Sequence, residues 1–189
     1  FREGLNQKNL RSIFADHKVD VIVDEMDDLR MKILLREQAK RLALPVVMAA
    51  DDGDNSLLDI ERYDLQPDMP LFSGLVPDEI VNHIKNDDIP RRELGMLIGK
   101  YFVGVENTPL RMFQSLMEVG KSLPSWPQLG GAAALSGLVI AYAIRCILLK
   151  QDVRQGRTLV TIDSELNQEQ YSEAHKKELE KILKIMQGS

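Results

Sequence analysis

The chain has 189 residues, 44% hydrophobic and 28% charged, with a formal net charge of −5. That length supports one domain with a true core, or a domain plus an appendage, and the acidic balance argues against a nucleic-acid surface, which calls for a basic stripe. The single cysteine, Cys146, excludes an intrachain disulfide framework and an all-cysteine metal site, and its apolar surroundings mark it as a small buried hydrophobe rather than a nucleophile.

The chain opens at Phe1, without methionine or a signal-like segment, and reads as a piece of something longer. FREGL resembles the end of a strand, and Asn6 or Asn9 is suited to cap a helix through His17. Next comes the most legible stretch. VDVIVD, from Val19, and PVVMAA, from Pro45, are strand-like runs, and a helix-length segment lies between them. Met31, Leu34, Leu35, Ala39 and Leu42 form its apolar stripe, with Arg30, Arg36, Lys40 and Arg41 mostly on the other face. Two apolar strands joined by a helix predict a parallel pair with a right-handed crossover.

In parallel sheets, ligands bind beyond the carboxyl ends of the strands. Here that edge carries Asp24, Glu25, Asp27 and Asp28 after the first strand, and Asp51 and Asp52 after the second. Two carboxylates 6 Å apart repel by roughly 3 kcal/mol at an effective dielectric near 20, and a helix end returns only about 0.3–1 kcal/mol per acid. A partly buried rim therefore calls for a cation or basic partner. In an exposed rim, Asp27 or Asp28 is simply an N-cap worth about 1 kcal/mol. Magnesium with a nucleotide is the sharper alternative, since that ion takes one or two carboxylates plus phosphate oxygens.

The turn DDGDNS, punctuated by Gly53 and Asn55, predicts a hairpin returning through LLDIERYD. There Leu58 and Ile60 alternate with Asp59 and Glu61, as in a half-buried strand. DLQPDMPLFSGLVP, with its prolines, is a surface loop. A helical insert over about 77–121 follows, its three short helices opening near Pro77, Pro90 and Pro109. The first carries Ile80, Val81 and Ile84; the second Leu94, Leu97, Ile98 and Phe102. Thr108 caps the third, Leu110, Phe113, Leu116 and Met117 face inward, and Gly120 ends it. GMLIGKY imitates a phosphate loop but is one residue short between its glycines and lacks Ser or Thr after Lys100. His17, His83 and His175 have no metal-ligand spacing.

The most apolar stretch, SWPQLGGAAALSGLVIAYAIRCILLK, predicts a helix from Gly130 to Leu149, buried against the sheet rather than spanning a membrane because Arg145 interrupts it. Its glycines, alanines and Ser136 would admit close approach of another backbone. QGRTLVTID then supplies a last strand through Gly156 and Leu159 to Ile162. The tail, residues 167–189, reads as an amphipathic helix, capped by Asn167 with Gln170 three positions on, and striped by Leu179, Ile182, Leu183 and Met186.

DVIVDEMDDLRMKILLREQAKRLALPVVMA resembles the second half of the ThiF/MoeB/ubiquitin-activating-enzyme adenylation fold. In that family a strand ends in D-x-x-D-N, a helix carries an arginine, and the next strand ends in small residues. Asp24 and Asp27 fall on the two aspartates, Asp28 occupies the asparagine slot and Lys32 the arginine slot. The small-residue-rich helix and closing strand also stand in the family's order. The resemblance implies a partial Rossmann-like three-layer α/β fold, its parallel strands continuing into a mixed sheet, over 1–166.

It also implies Asp27 facing magnesium and ATP, with Asp24 shaping the strand end and Asp28 and Lys32 facing nucleotide. The implied chemistry is ATP-dependent activation of a carboxylate, often a small carrier protein's C-terminal glycine, as an acyl-adenylate in a cytoplasmic homodimer. The chain lacks the family's glycine-rich loop, its thiol nucleophile and its zinc-binding cysteine pairs, so catalysis by this segment alone is not expected. ERYDLQPDMPLFSGLV and EVGKSLPSWPQLGGAAALSG further resemble bacterial proteins in which a ThiF-like segment precedes a nitroreductase-like flavin domain. The alternative is an interaction or dimerisation module that keeps the fold without the chemistry, attached to such a domain, with no nucleic acid or membrane partner.

Overall fold

A computed structural model describes residues 2, 4–16, 18–86, 88–104, 108–166 and 173–187. Helix α1 (Leu10–Asp16) precedes a two-residue strand, β1 (Ile22–Val23), followed by α2 (Leu29–Arg41) and β2 (Pro45–Asp52). β1 and β2 pair in parallel, Ile22 opposite Val46 and Val23 opposite Val47, as the strand–helix–strand pattern requires. β3 (Asn55–Arg62) returns antiparallel to β2, and β4 (Gly156–Val160) lies antiparallel on β3, giving a four-stranded mixed sheet in the order β1-β2-β3-β4. The β2–β3 turn is the predicted one: Gly53, with φ +66°, takes its first central position, where a left-handed residue lets the twisted strands close.

Between β3 and β4 come a 3-10 turn (Leu71–Gly74), α3 (Asp78–Asn86), α4 (Arg91–Leu97), a π-helical turn (Ile98–Val103), α5 (Leu110–Glu118) and α6 (Gly130–Leu148); α7 (Asp163–Leu166) and α8 (Glu173–Gln187) follow the sheet. All three expected insert helices form, and the second runs into the π turn that buries Phe102. The imitation phosphate loop lies within that helix and turn. Leu110 and Phe113 of α5 are buried, but Met117, expected to face inward, is 57% exposed; the Leu116 side chain lies outside the described residues. The Thr108 hydroxyl, expected to cap α5, donates to the Gly104 carbonyl at 3.3 Å. Asn167, Gln170 and the tail side chains beyond Leu179 that were expected to form its stripe lie outside the described residues.

Both faces of the sheet are covered. Val47, Ala49, Leu58 and Ile60 pack against Ile140, Ala143 and Ile147 of α6. On the opposite face Ile22, Val46 and Tyr63 pack with Leu10, Leu35 and Ala39 of α1 and α2. A third cluster joins Leu29 and Ile33 of α2 to Phe72, Val76, Val81, Ile84 and Phe102 of the insert. α6 is buried on one side only. Its outer face leaves Leu138 67% and Tyr142 56% exposed, and nothing lies within 4 Å of where a Cβ would stand at Gly130, Gly131 or Gly137, so these glycines serve no close approach among the described residues, whereas Ala132 and Ser136 are buried. α6 is also the one helix among the described residues long and apolar enough to cross a membrane by length and composition.

Two polar expectations change with the covered second face. Arg36, placed on the solvated side of α2 by its charge, is fully buried. Asp59 and Glu61, placed on the wet side of β3, are 5% and 1% exposed. Each of the three has an opposite charge within hydrogen-bonding distance, the condition for burying an ion.

Candidate functional site

The parallel pair delivers Asp24 to the carboxyl end of β1, where its backbone N–H donates to the Val47 carbonyl at 3.0 Å. Its side chain turns into the gap between sheet and α2. Oδ1 accepts from the Met26 N–H at 3.1 Å and from Lys32 Nζ at 3.2 Å; Oδ2 accepts from Arg36 Nη1. Lys32 and Arg36 are four residues apart on α2, hence on one helix face, and both also touch Met48 Sδ, at 3.4 and 3.6 Å.

Arg36 is the hub. Its Nε donates to Glu61 Oε1 at 2.7 Å, and its guanidinium carbon lies 4.2 Å from the Phe72 ring centroid. Glu61 Oε2 accepts from the Tyr63 hydroxyl and, at 2.7 Å, from the Phe72 N–H. Burial opposes the charge on Arg36, but the Glu61 and Asp24 carboxylates overcome it and hold its pKa above the ordinary value. Burial, with the Glu61 charge beside it, pushes the Tyr63 hydroxyl well above its usual range. The network gathers two carboxylates around a permanent cation, each held by more than one bond, which suits it to hold geometry.

The outer rim is different. Asp28 is the N-cap of α2, its Oδ1 accepting from the Met31 N–H at 3.0 Å. Asp27 is exposed in the bend before it. Glu25 Oε1 accepts from the Ala49 N–H at 3.0 Å; burial raises its pKa, against the pull of that bond and of Lys32. Asp51 accepts from Ser136 of α6 at 2.7 Å, and Ser136 meets Ser56 at 2.9 Å.

Of the four residues expected to face nucleotide, Asp24 and Lys32 are therefore joined to each other, Asp28 is spent on the helix end, and Asp27 is the open carboxylate. Asp27 alone of the four leaves an exposed carboxylate that a metal ion could reach, whereas Asp24 could join such an ion only by giving up Arg36 or Lys32. Among the described residues, no three His, Cys, Asp or Glu side chains converge as a metal site.

The sequence pattern places Arg36 and Glu61 on wet faces and Asp52 on the acidic rim, and it does not single out Tyr63 or Arg157. Arg157 of β4 grips Asp59 through two bonds of 2.9 and 2.6 Å and donates to the Val103 carbonyl at 3.1 Å, tying the π turn to the sheet. Asp52, fully buried at the hairpin, has no hydrogen-bond partner for either carboxylate oxygen among the described residues. Burial lifts its pKa to about 7 even though Arg157 pulls the other way. The one available signal was spacing: Glu61 and Tyr63 are two residues apart at the end of β3, and Lys32 and Arg36 share a helix face.

Fold and site together define a mixed α/β protein with a charged network sealed between its sheet and one helix layer. Over 153 residues, 79% of the chain, it is 32% identical to the uncharacterized protein MT1398 of Mycobacterium tuberculosis. The match takes up 20% of that protein, so the chain spans about one fifth of its relative's length. No family model and no solved structure matches the chain.

Proposed function

We propose that this chain is the second half of a ThiF/MoeB/ubiquitin-activating-enzyme-type adenylation fold, contributing one wall of an ATP and magnesium site rather than catalysing alone. The observation that carries the reading is the β1–α2–β2 crossover with Asp24 at its carboxyl edge, continuing directly into the antiparallel β2–β3 hairpin. That is the order in which the resembled fold passes from parallel to mixed sheet. In this reading Asp27 meets magnesium, Lys32 stands at the mouth beside Asp24, and Arg36 positions Asp24 from behind. The reaction would activate a carboxylate as its acyl-adenylate; the chain's one cysteine is buried in α6, so it offers no thiol for a later transfer.

A specific observation favours the second reading, a non-catalytic module that retains the fold. Asp24 has both oxygens engaged within the chain, and Asp28 is used as a cap. Such a module would serve dimerisation or an attached domain, including a nitroreductase-like one.

Calorimetry with ATP, with and without magnesium, separates the two, run on this chain and on the longest protein that contains it. The adenylation reading expects magnesium-dependent binding by the longer form, weakened about tenfold or more by Asp27→Ala. Absence of binding by that form would leave the module reading standing.

A further inference from the structure

A groove runs between α1 and α2, and none of the acidic-rim residues lines it. It is lined by Gln7, Lys8 and Arg11 on the α1 side, and by Leu34, Gln38 and Arg41 on α2, with Leu10 in its floor. Glu37 lines it too, but its carboxylate is paired with Lys85 at 2.6 Å. Lys8, Arg11 and Arg41 are exposed, and none of them has a carboxylate partner among the described residues. In a chain of net charge −5, three cations without a carboxylate partner among the described residues, around a depression whose one described acid is paired with Lys85, run against the general balance. Helix stability does not account for all of them. Arg41 suits the C-terminal end of α2, but Lys8 and Arg11 stand at the N-terminal end of α1, where positive charge is disfavoured.

We infer that this groove is a docking surface for a short, extended acidic segment of a partner protein, with acids on both sides of an apolar residue. Charge complementarity names the acid. Arginine presents a planar fork that takes a carboxylate through two parallel bonds, and two of the three cations are arginines. The dimensions name a segment rather than a lone anion. From Leu34 to Arg41 the groove follows α2 for about 10 Å at 1.5 Å per residue, the span of about three residues of extended chain at 3.3 Å each. Leu10 and Leu34 supply an apolar floor for the central side chain, and the Gln7 and Gln38 amides can bond the segment's backbone. Recognition of acidic motifs by clustered arginines uses the same physics elsewhere. The inference does not rest on the adenylation reading, since no residue of the acidic rim takes part.

The probe is a fluorescein-labelled peptide with one leucine between two pairs of acidic residues, followed by anisotropy on the full chain. Wild type should bind it in low salt, lose affinity steeply as salt rises, and bind a version with serine in place of leucine several-fold more weakly. The exposed double variant Arg11→Glu/Arg41→Glu should lose at least about tenfold in affinity. It should in turn prefer a lysine-for-acid version of the peptide, which shows that the variant is folded and the groove still reads charge. No binding by wild type, unchanged binding by the double variant, or failure of the charge-swapped pair to recover would overturn the inference. Displacement of the peptide by millimolar inorganic phosphate would overturn it as well, reducing the groove to a small-anion site.

Discussion

Arg36 meets Asp24 directly: both side chains are fully buried, and Nη1 of one donates to Oδ2 of the other. The opposite edge of the same guanidinium reaches Glu61, and its face is covered by Phe72. One cation therefore links the end of β1, the end of β3 and the 3-10 turn to α2. Burying two carboxylates and an arginine is costly, and a well-packed apolar replacement is often no worse. Such a cluster is weak evidence for extra stability. It does impose one arrangement on whatever surrounds it, here the carboxyl edge where Asp27 and Lys32 stand.

Removing the hub takes the paired cation from Glu61 and leaves Asp24 with Lys32 alone. Arg36→Ala is expected to lose about 3–5 kcal/mol in urea unfolding. The triple change Arg36→Met, Asp24→Asn, Glu61→Gln should recover more than half of that, because it removes the charges together. A loss below about 1 kcal/mol for the single variant would mean that the cluster is open to water in solution.

How much of this was legible follows from what each pattern can encode. The crossover was readable because VDVIVD and PVVMAA are apolar runs flanking a 3.6-residue stripe, and the hairpin because Gly53 sits where a left-handed residue is needed. Asp28 as a cap was one of the two readings of the rim, and the structure adopts it without deciding whether Asp27 meets magnesium. Arg36, Asp59 and Glu61 were misplaced for one physical reason. Polarity periodicity assumes that charge faces water, and it has no signal for two opposite charges arriving from residues 12, 25 or 98 positions apart to satisfy each other. The outward apolar face of α6 was misjudged by the converse error, since hydrophobicity alone does not say which side is covered.

Phe72, Ser73 and Gly74 are consecutive left-handed residues, with φ of +53°, +54° and +77°. The conformation lets the Phe72 N–H reach Glu61 while its ring covers Arg36 and meets Phe102 edge-on at 4.9 Å. A side chain in that region costs about 1–2 kcal/mol, which glycine avoids at some entropic cost in the unfolded chain. Among the described residues, the hydroxyl of Ser73 reaches only the Met69 sulfur, at 3.9 Å. Ser73→Gly should therefore stabilise by about 0.5–1 kcal/mol in thermal or chemical unfolding. A destabilising result would refute the strain.

Gly53 is held on two counts, φ of +66° and a Cβ position only 2.8 Å from Cγ of Pro109. Gly53→Ala must strain the turn and push away the residue that leads into α5. The expected cost is about 1–3 kcal/mol. Faster amide exchange at the β2–β3 turn, with exchange in α2 unchanged, would locate the damage at the contact; a uniform increase would not.

Asp52 makes stability depend on pH in the opposite sense to an ion-paired carboxylate. Its pKa is about 7 in the folded chain against 3.8 for the free group. Below about pH 4 both states hold the proton and the residue has no net effect. From there to about pH 7 the unfolded chain releases the proton while the folded one keeps it. The unfolded state then binds fewer protons, and stability falls as pH rises. Above pH 7 the folded chain carries a buried, unpartnered charge and the penalty levels off at about 2–4 kcal/mol. Asp52→Asn abolishes the titration, so its advantage over wild type should be small at pH 4 and grow by that amount by pH 8, in urea unfolding at each pH. Arg157 sharpens the test. Its charge is the one that pulls the Asp52 pKa down, so in an Arg157→Gln background the rise should extend to higher pH. A pH-independent difference between Asp52→Asn and wild type would show that the carboxylate finds a donor in solution.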